Sequence, residues 1–319
     1  MINIMTSCDE NLMKLIPVQL EAISANLSNR QINFYLFHDG KNTSYVNKLK
    51  KIKYQNIKFF DVIVENLEIY EEIAKKGGYW CGAAYYTLCA QNYLPEDMDR
   101  IWYIDAGDII VVGDVDDYYF ADFEDKSLIV TSILWKIENG KSDLFTRDDL
   151  VYKNYLDGIA RGIFNSGSYI LNLNKMRKKN YTLQSYAHLS ELIYNARGKL
   201  PRTYYGDQGF LSIIYAGDLK CFGYPEIMNP SYMPYDFGIW YFDKFDKLDY
   251  EVKVIHYIGN NIFKPWYGKY QTFLKRFQDK NKLNDLTKLN EKQIPYYNTW
   301  YQYALMTDKR LNNCKIKGI

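Results

Sequence analysis

The sequence is short of the features that would make its chemistry obvious. Its five cysteines, Cys8, Cys81, Cys89, Cys221 and Cys314, are odd in number and scattered, with no C-x-x-C pair. That argues against a disulfide framework or a zinc site and fits a reducing cytoplasm. No G-x-G-x-x-G follows the first strand-like run, which disfavours a nicotinamide or flavin Rossmann domain. A P-loop, an H-E-x-x-H helix and a serine nucleophile elbow are missing too. Neither sign of charge dominates: 40 basic and 38 acidic side chains leave a formal +2. Nucleic acid, which wants a strongly basic face, is therefore not an expected partner. No apolar run approaches the roughly 18–20 residues that span a bilayer. The N-terminus, MINIMTSCDEN, has no basic region ahead of an apolar core, so no signal peptide is expected. A soluble cytoplasmic protein is the expectation.

What is present is a large apolar reserve. Hydrophobic residues make up 47% of 319, enough for a sizeable core, and aromatics reach 17% with 32 Tyr. Tyrosine can stack on bases or sugars, although Asn, Lys and Ile are abundant as well and the bias reads equally as compositional drift. Along the chain, strand-like and helix-like runs alternate. Ile2 to Met5 reads as a strand, Leu12 to Ala25 as a helix, Ile32 to Phe37 as a strand, Ser44 to Ile52 as a helix and Ile57 to Val64 as a strand. Helical periods recur at Tyr85 to Tyr93, Thr182 to Asn195 and Asp207 to Tyr215. Further strands are expected at Leu128 to Trp135, Tyr169 to Leu173 and Val252 to Tyr257, and residues 138–157 form a charged, partly helical insertion. This alternation predicts a layered α/β domain with helices covering a largely parallel sheet, whose ligands bind beyond the carboxyl ends of strands.

One stretch raises a chemical question. In RIWYIDAGDIIVVGD, residues 100–114, two apolar runs flank Asp105-Ala106-Gly107-Asp108. Carboxylates inside a buried strand cannot stay ionised and unpaired, because removing water from an isolated charge costs roughly several kcal/mol. Either they make a solvated turn, for which Asp-Ala-Gly-Asp has suitable residues, or they hold a hard divalent cation such as Mg²⁺ or Mn²⁺. His256, one of three histidines, can add an imidazole and tip the preference towards Mn²⁺, or can simply be a satisfied core residue.

Four segments together, YIDAGDIIVVGD, FNSGSYILNLNKMR, GDQGFLS and VIHYIGNNIFKPW, resemble glycosyltransferase family 8 in order and spacing over about residues 1–266. The resemblance implies a GT-A fold, with a Rossmann-like mixed central sheet and helices on both faces. It implies a retaining, metal-dependent transfer of glucose or galactose from a UDP-sugar, as in bacterial lipopolysaccharide galactosyltransferases and glycogenin. Asp105 and Asp108 then correspond to the acids of the family's Asp-x-Asp motif, with Ala106 beside the nucleotide and His256 as the third ligand to Mn²⁺ or Mg²⁺. Asp9 and Asn11 would meet uridine. Asn165 and Ser166 would line the donor sugar, Asp207 would accept sugar hydroxyls, Gln208 would lie near the anomeric carbon, and Gly259 and Lys264 would hold the diphosphate. The acceptor would be a bacterial glycan, glycolipid or glycoprotein.

The match has departures. The acid pair carries one extra residue, expected as a bulge at Gly107. Thr87 stands where the family often has an arginine, which implies a lost donor-sugar contact. The loop from His256 to Lys264 is about two residues longer than is usual in the family. Two rivals remain open: a sugar nucleotidyltransferase, for which a basic glycine-rich loop after the first strand is missing, and a non-catalytic member that binds a UDP-sugar or a partner. Residues 267–319 are expected to form a helical, basic extension, with ten Lys/Arg against four Asp/Glu from 271 onwards. Such a tail either touches the anionic inner face of the membrane peripherally or caps the cleft, with Trp300, Tyr301 and Leu305 packed on the core.

Overall fold

The computed structural model describes residues 1–77, 81–130, 164–197, 206–215, 217–222, 253–257, 265–266 and 294–316. The expected insertion at 138–157, together with Gly259 and Lys264, lies outside the described residues.

A seven-stranded mixed sheet forms the centre. Strands β1 (Ile2–Ser7), β2 (Ile32–His38), β3 (Ile57–Ile63) and β4 (Arg100–Ile104) run parallel in the order β3-β2-β1-β4. Beyond β4 the direction changes, because β7 (Ser168–Asn172) pairs with it antiparallel. The sheet continues through β6 (Leu128–Val130) to β8 (Leu219–Cys221). Period-two alternation then divides the side chains between two cores. Met5, Tyr35, Phe37, Ile101, Tyr103, Tyr169 and Leu171 face one core, while Ile4, Phe34, Leu36, Trp102, Ile104 and Ile170 face the other.

Helices cover both faces. On the first lie α4 (Leu67–Gly77), a 3-10 segment (Gly82–Asn92), α6 (Leu173–Lys179), α7 (Leu183–Arg197) and α8 (Gly206–Ile214). On the second lie α2 (Ile16–Asn26), α3 (Thr43–Leu49) and α5 (Asp116–Tyr119).

Three local expectations are corrected. The single helix expected from Leu12 to Ala25 is two, a short α1 (Glu10–Met13) and α2. Pro17 occupies the first turn of α2; it has no N–H to donate back to residue 13 and is tolerated only at a helix start. The helical period at Tyr85 to Tyr93 is a 3-10 segment in which Cys89 leaves helical angles at φ −121°, ψ 28°. The apolar stretch around Asp105 is not one strand. β4 ends at Ile104, and β5 (Ile109–Val111) belongs to a separate two-stranded antiparallel sheet with β9 (Val254–His256). The acids therefore sit in the turn between two sheets, where partial exposure relieves the desolvation that a continuous strand would impose.

The C-terminal helix α9 (Ile294–Asn313) docks on α2 and the small sheet. Trp300 and Tyr301 are buried among Leu15, Val18, Ile110, Ile255 and Tyr257. Leu305, expected to pack with them, is 69% exposed, because the buried stripe of this helix runs through Trp300, Thr307 and Leu311 and Leu305 lies outside it. Glu21, 2% exposed on α2, is met by the guanidinium of Arg310, with Nη2 donating to Oε1 at 2.8 Å and Nε donating to Oε2. No described helix is long and apolar enough to cross a membrane.

Candidate active site

The carboxyl edge of the sheet gathers most of the polar residues singled out above. β1 and β4 are parallel neighbours, so the segments that leave them emerge side by side. After β1, Asp9 caps α1: its Oδ1 accepts from the backbone N–H of Asn11 at 3.0 Å and of Leu12 at 3.3 Å. Asn11 donates from Nδ2 to Oδ2 of the same carboxylate at 3.1 Å, so these two residues form one exposed unit.

After β4, two backbone hydrogen bonds tie the acidic turn to its neighbours. Asp105 N–H donates to Gly167 C=O at 2.9 Å, and Tyr257 N–H donates to Asp108 C=O at 2.8 Å. Because Ile109 pairs with His256 in register, the imidazole is carried to the same place. Asp105, Asp108 and His256 each present one ligand atom within 4.8 Å of the others. His256 Nε2 lies 3.5 Å from Asp105 Oδ2. Two carboxylates and an imidazole around one point suit a divalent cation with some affinity for nitrogen. Gly107 is not the bulge within a strand that was expected: it is a buried residue of the turn itself, at φ +73°, and both acids remain in the cluster. Ala106 is buried in the same turn.

Two further residues shape this cluster. Tyr103 donates its hydroxyl to Asp105 Oδ1 at 2.9 Å, while Ser7 Oγ lies 3.4 Å from the same phenol. Burial, first, and the charge of Asp105 keep that phenol protonated well above the usual tyrosine range. Gly167 is the second: a Cβ there would collide with His256 Cε1 and fall 2.7 Å from Nε2, so only glycine leaves room for the ring.

The donor-sugar residues predicted from the sequence come together on the antiparallel side. Asn165 and Ser166 are buried in the turn before β7, where Asn165 Oδ1 accepts from Gly167 N–H at 2.9 Å. Gln208, on the first turn of α8, points Oε1 at the Ser166 N–H at 3.4 Å. Ser212 locks helix to turn by donating to Gln208 C=O at 2.7 Å and accepting from Phe164 N–H at 3.2 Å. Asp207 keeps some exposure, yet loss of surrounding water pushes its carboxyl up to about 7. The nearby charge of Asp105 adds to that rise, and the Ser166 hydroxyl works against it. Thr87, in the expected arginine position, is 1% exposed and accepts a hydrogen bond from Tyr169 Oη at 2.9 Å. It faces the core and not the cleft.

With this geometry in place, comparison with known proteins is decisive. The family model described as glycosyl transferase family 8 matches residues 3–269. The chain belongs to glycosyltransferase family 8. No curated protein matches it significantly by sequence. Among solved structures, an active-site mutant of LgtC superposes with a TM-score of 0.61 at 18% identity, covering 95% of both chains. The galactosyltransferase LgtC in complex with donor and acceptor sugar analogues gives 0.59 at 21% identity, covering 92% of this chain and 99% of that one. The glycosyltransferase GlyE of Streptococcus pneumoniae TIGR4 gives 0.59 at 16% identity, covering 98% of this chain and 63% of that one. At such identities these likenesses establish the shared GT-A-like sheet architecture. This family 8 chain is a glycosyltransferase.

Proposed function

We propose that this glycosyltransferase moves glucose or galactose from UDP to a saccharide, glycolipid or glycoprotein acceptor, with retention at the anomeric carbon. The observation that carries the reading is the convergence of Asp105, Asp108 and His256 at the carboxyl edge of the sheet. That donor set fits Mn²⁺ ahead of Mg²⁺ because one ligand is an imidazole. Bound there, the ion would neutralise the charge that develops on the diphosphate as it departs.

The protein's own groups supply the rest. The exposed Asp9–Asn11 unit offers hydrogen-bonding atoms to uridine, with Ala106 beside the nucleotide. Asn165 and Ser166 line the sugar, and Asp207 takes its hydroxyls. A carboxyl titrating near 7 suits that role, since it can donate or accept. Gln208 lies towards the anomeric carbon. An amide is a poor nucleophile, so the chemistry favours same-face displacement, in which amide and carboxyl oxygens support the oxocarbenium-like sugar. The departing phosphate takes the acceptor's proton. Gly259 and Lys264 complete the diphosphate site in this reading. The complex of LgtC with donor and acceptor sugar analogues supports a cleft for two saccharide substrates.

A panel of UDP-sugars incubated with Mn²⁺ and with EDTA tests this reading without a known acceptor. Hydrolysis of a UDP-hexose only with Mn²⁺ is the expected result. Equal rates in EDTA would remove the metal role, and inertness towards every UDP-sugar would remove the donor class.

A further inference from the structure

The acidic turn is held from beneath by a residue that touches no predicted substrate. Gln19, on α2, is fully buried at 0% exposure. Its Nε2 donates to Asp105 C=O at 2.9 Å and to Ile109 C=O at 3.0 Å. These carbonyls stand at the two ends of the turn that carries Asp105 and Asp108. One amide NH₂ has two hydrogens at a fixed angle, so a single rigid group fixes the span between them. Four residues earlier, Leu15 packs against Gly107; a Cβ at position 107 would lie 2.5 Å from Leu15 Cβ. Leu15 and Gln19 thus grip the turn at its middle and at both ends.

Energetics set this amide apart from ordinary packing. Gln19 Oε1 is buried with no hydrogen-bond partner among the described residues. Burying an amide with half its capacity unmet carries a desolvation penalty, and what offsets it here is the pairing of Nε2 with both ends of the acidic turn.

We propose that Gln19 is a positioning residue that sets the separation of Asp105 and Asp108 for cation binding. The idea rests on the metal reading above for its purpose, and on geometry alone for the clamp. Gln19→Met keeps the length of the side chain and removes both donors. Mn²⁺ added alone to this variant, well below its melting temperature, is expected to bind about 10–100-fold more weakly than to wild type by calorimetry, the range for lost outer partners of a metal site. Raising Mn²⁺ should restore turnover, so that the metal requirement rises while the limiting rate holds. Amide hydrogen exchange at residues 106–109 of the metal-free variant should accelerate. Ile23→Val, which trims the same helix without touching the turn, should keep wild-type Mn²⁺ affinity. Wild-type Mn²⁺ affinity in Gln19→Met overturns the proposal, and so does unchanged exchange in the turn. If wild type itself binds no Mn²⁺, the metal reading fails, and the exchange measurement alone decides whether Gln19 holds the turn.

Discussion

Gly167 and His256 are packed so closely that the ring occupies the space a side chain at 167 would need, and a Cβ added there would collide with Cε1. The imidazole is 4% exposed and cannot swing away cheaply. Gly167→Ala is therefore expected to push His256 out of the cluster, or to shift the turn whose carbonyl receives Asp105 N–H. Overpacking of this kind costs about 1–3 kcal/mol in stability. The sharper consequence is loss of Mn²⁺ affinity in calorimetry, with UDP-sugar hydrolysis falling in parallel. Undisturbed Mn²⁺ binding in Gly167→Ala would show that the packing of Gly167 against His256 does not hold the cluster together.

Asp108 gives a cleaner separation of function from folding. Its side chain lies with those of Asp105 and His256, and it keeps some contact with water. Asp108→Asn preserves shape and removes a negative ligand. Abolished UDP-sugar hydrolysis and a melting temperature close to wild type are expected. Full activity would mean that Asp108 is only a turn residue.

How much of this was legible in the sequence follows from the range of the interactions. The strands β1 to β4 show in their apolar periods, because alternation between two buried cores is a local pattern. The residues of the acid cluster were legible because carboxylates between apolar runs are conspicuous. Their setting was not: whether Ile104 and Ile109 continue one strand or enter two sheets depends on pairing with β7 and β9, far along the chain. The roles of Gln19, Tyr103 and Gly167 were hidden for the same reason. Gln19 meets a carbonyl 86 residues away, and its one local sign is a polar side chain on the buried face of an apolar helix. Pro17 was a readable signal for the break between α1 and α2, since proline belongs at a helix start.

Asp207 predicts a pH dependence whose sign is fixed by the direction of its shift. Its carboxyl titrates at about 7 in the folded protein, against a reference value of 3.8. Between those values the folded state binds the extra proton, so stability falls as pH rises and the penalty is complete above about 7. Asp207→Asn removes it. In EDTA, the variant's melting temperature should gain on wild type from pH 5 to pH 8, while UDP-sugar hydrolysis with Mn²⁺ is lost. A constant difference in melting temperature across that range would show that Asp207 is not held protonated by its surroundings.

The pair of Glu21 and Arg310 joins residues 289 positions apart and fastens α9 to α2. Glu21 is almost wholly buried, whereas the Arg310 side chain keeps 32% of its exposure. Removing the arginine strands a carboxylate in the core, while neutralising Glu21 as well leaves no stranded charge. Arg310→Ala should therefore destabilise by an amount at or below the roughly 3–5 kcal/mol found for breaking a fully buried pair, since Arg310 is partly solvated. Glu21→Gln combined with Arg310→Ala should recover part of that loss in urea denaturation. Equal stability of the single and double variants would mean that Arg310 acts through its packing over the Tyr54 ring, 4.4 Å from the guanidinium carbon, and not through its charge.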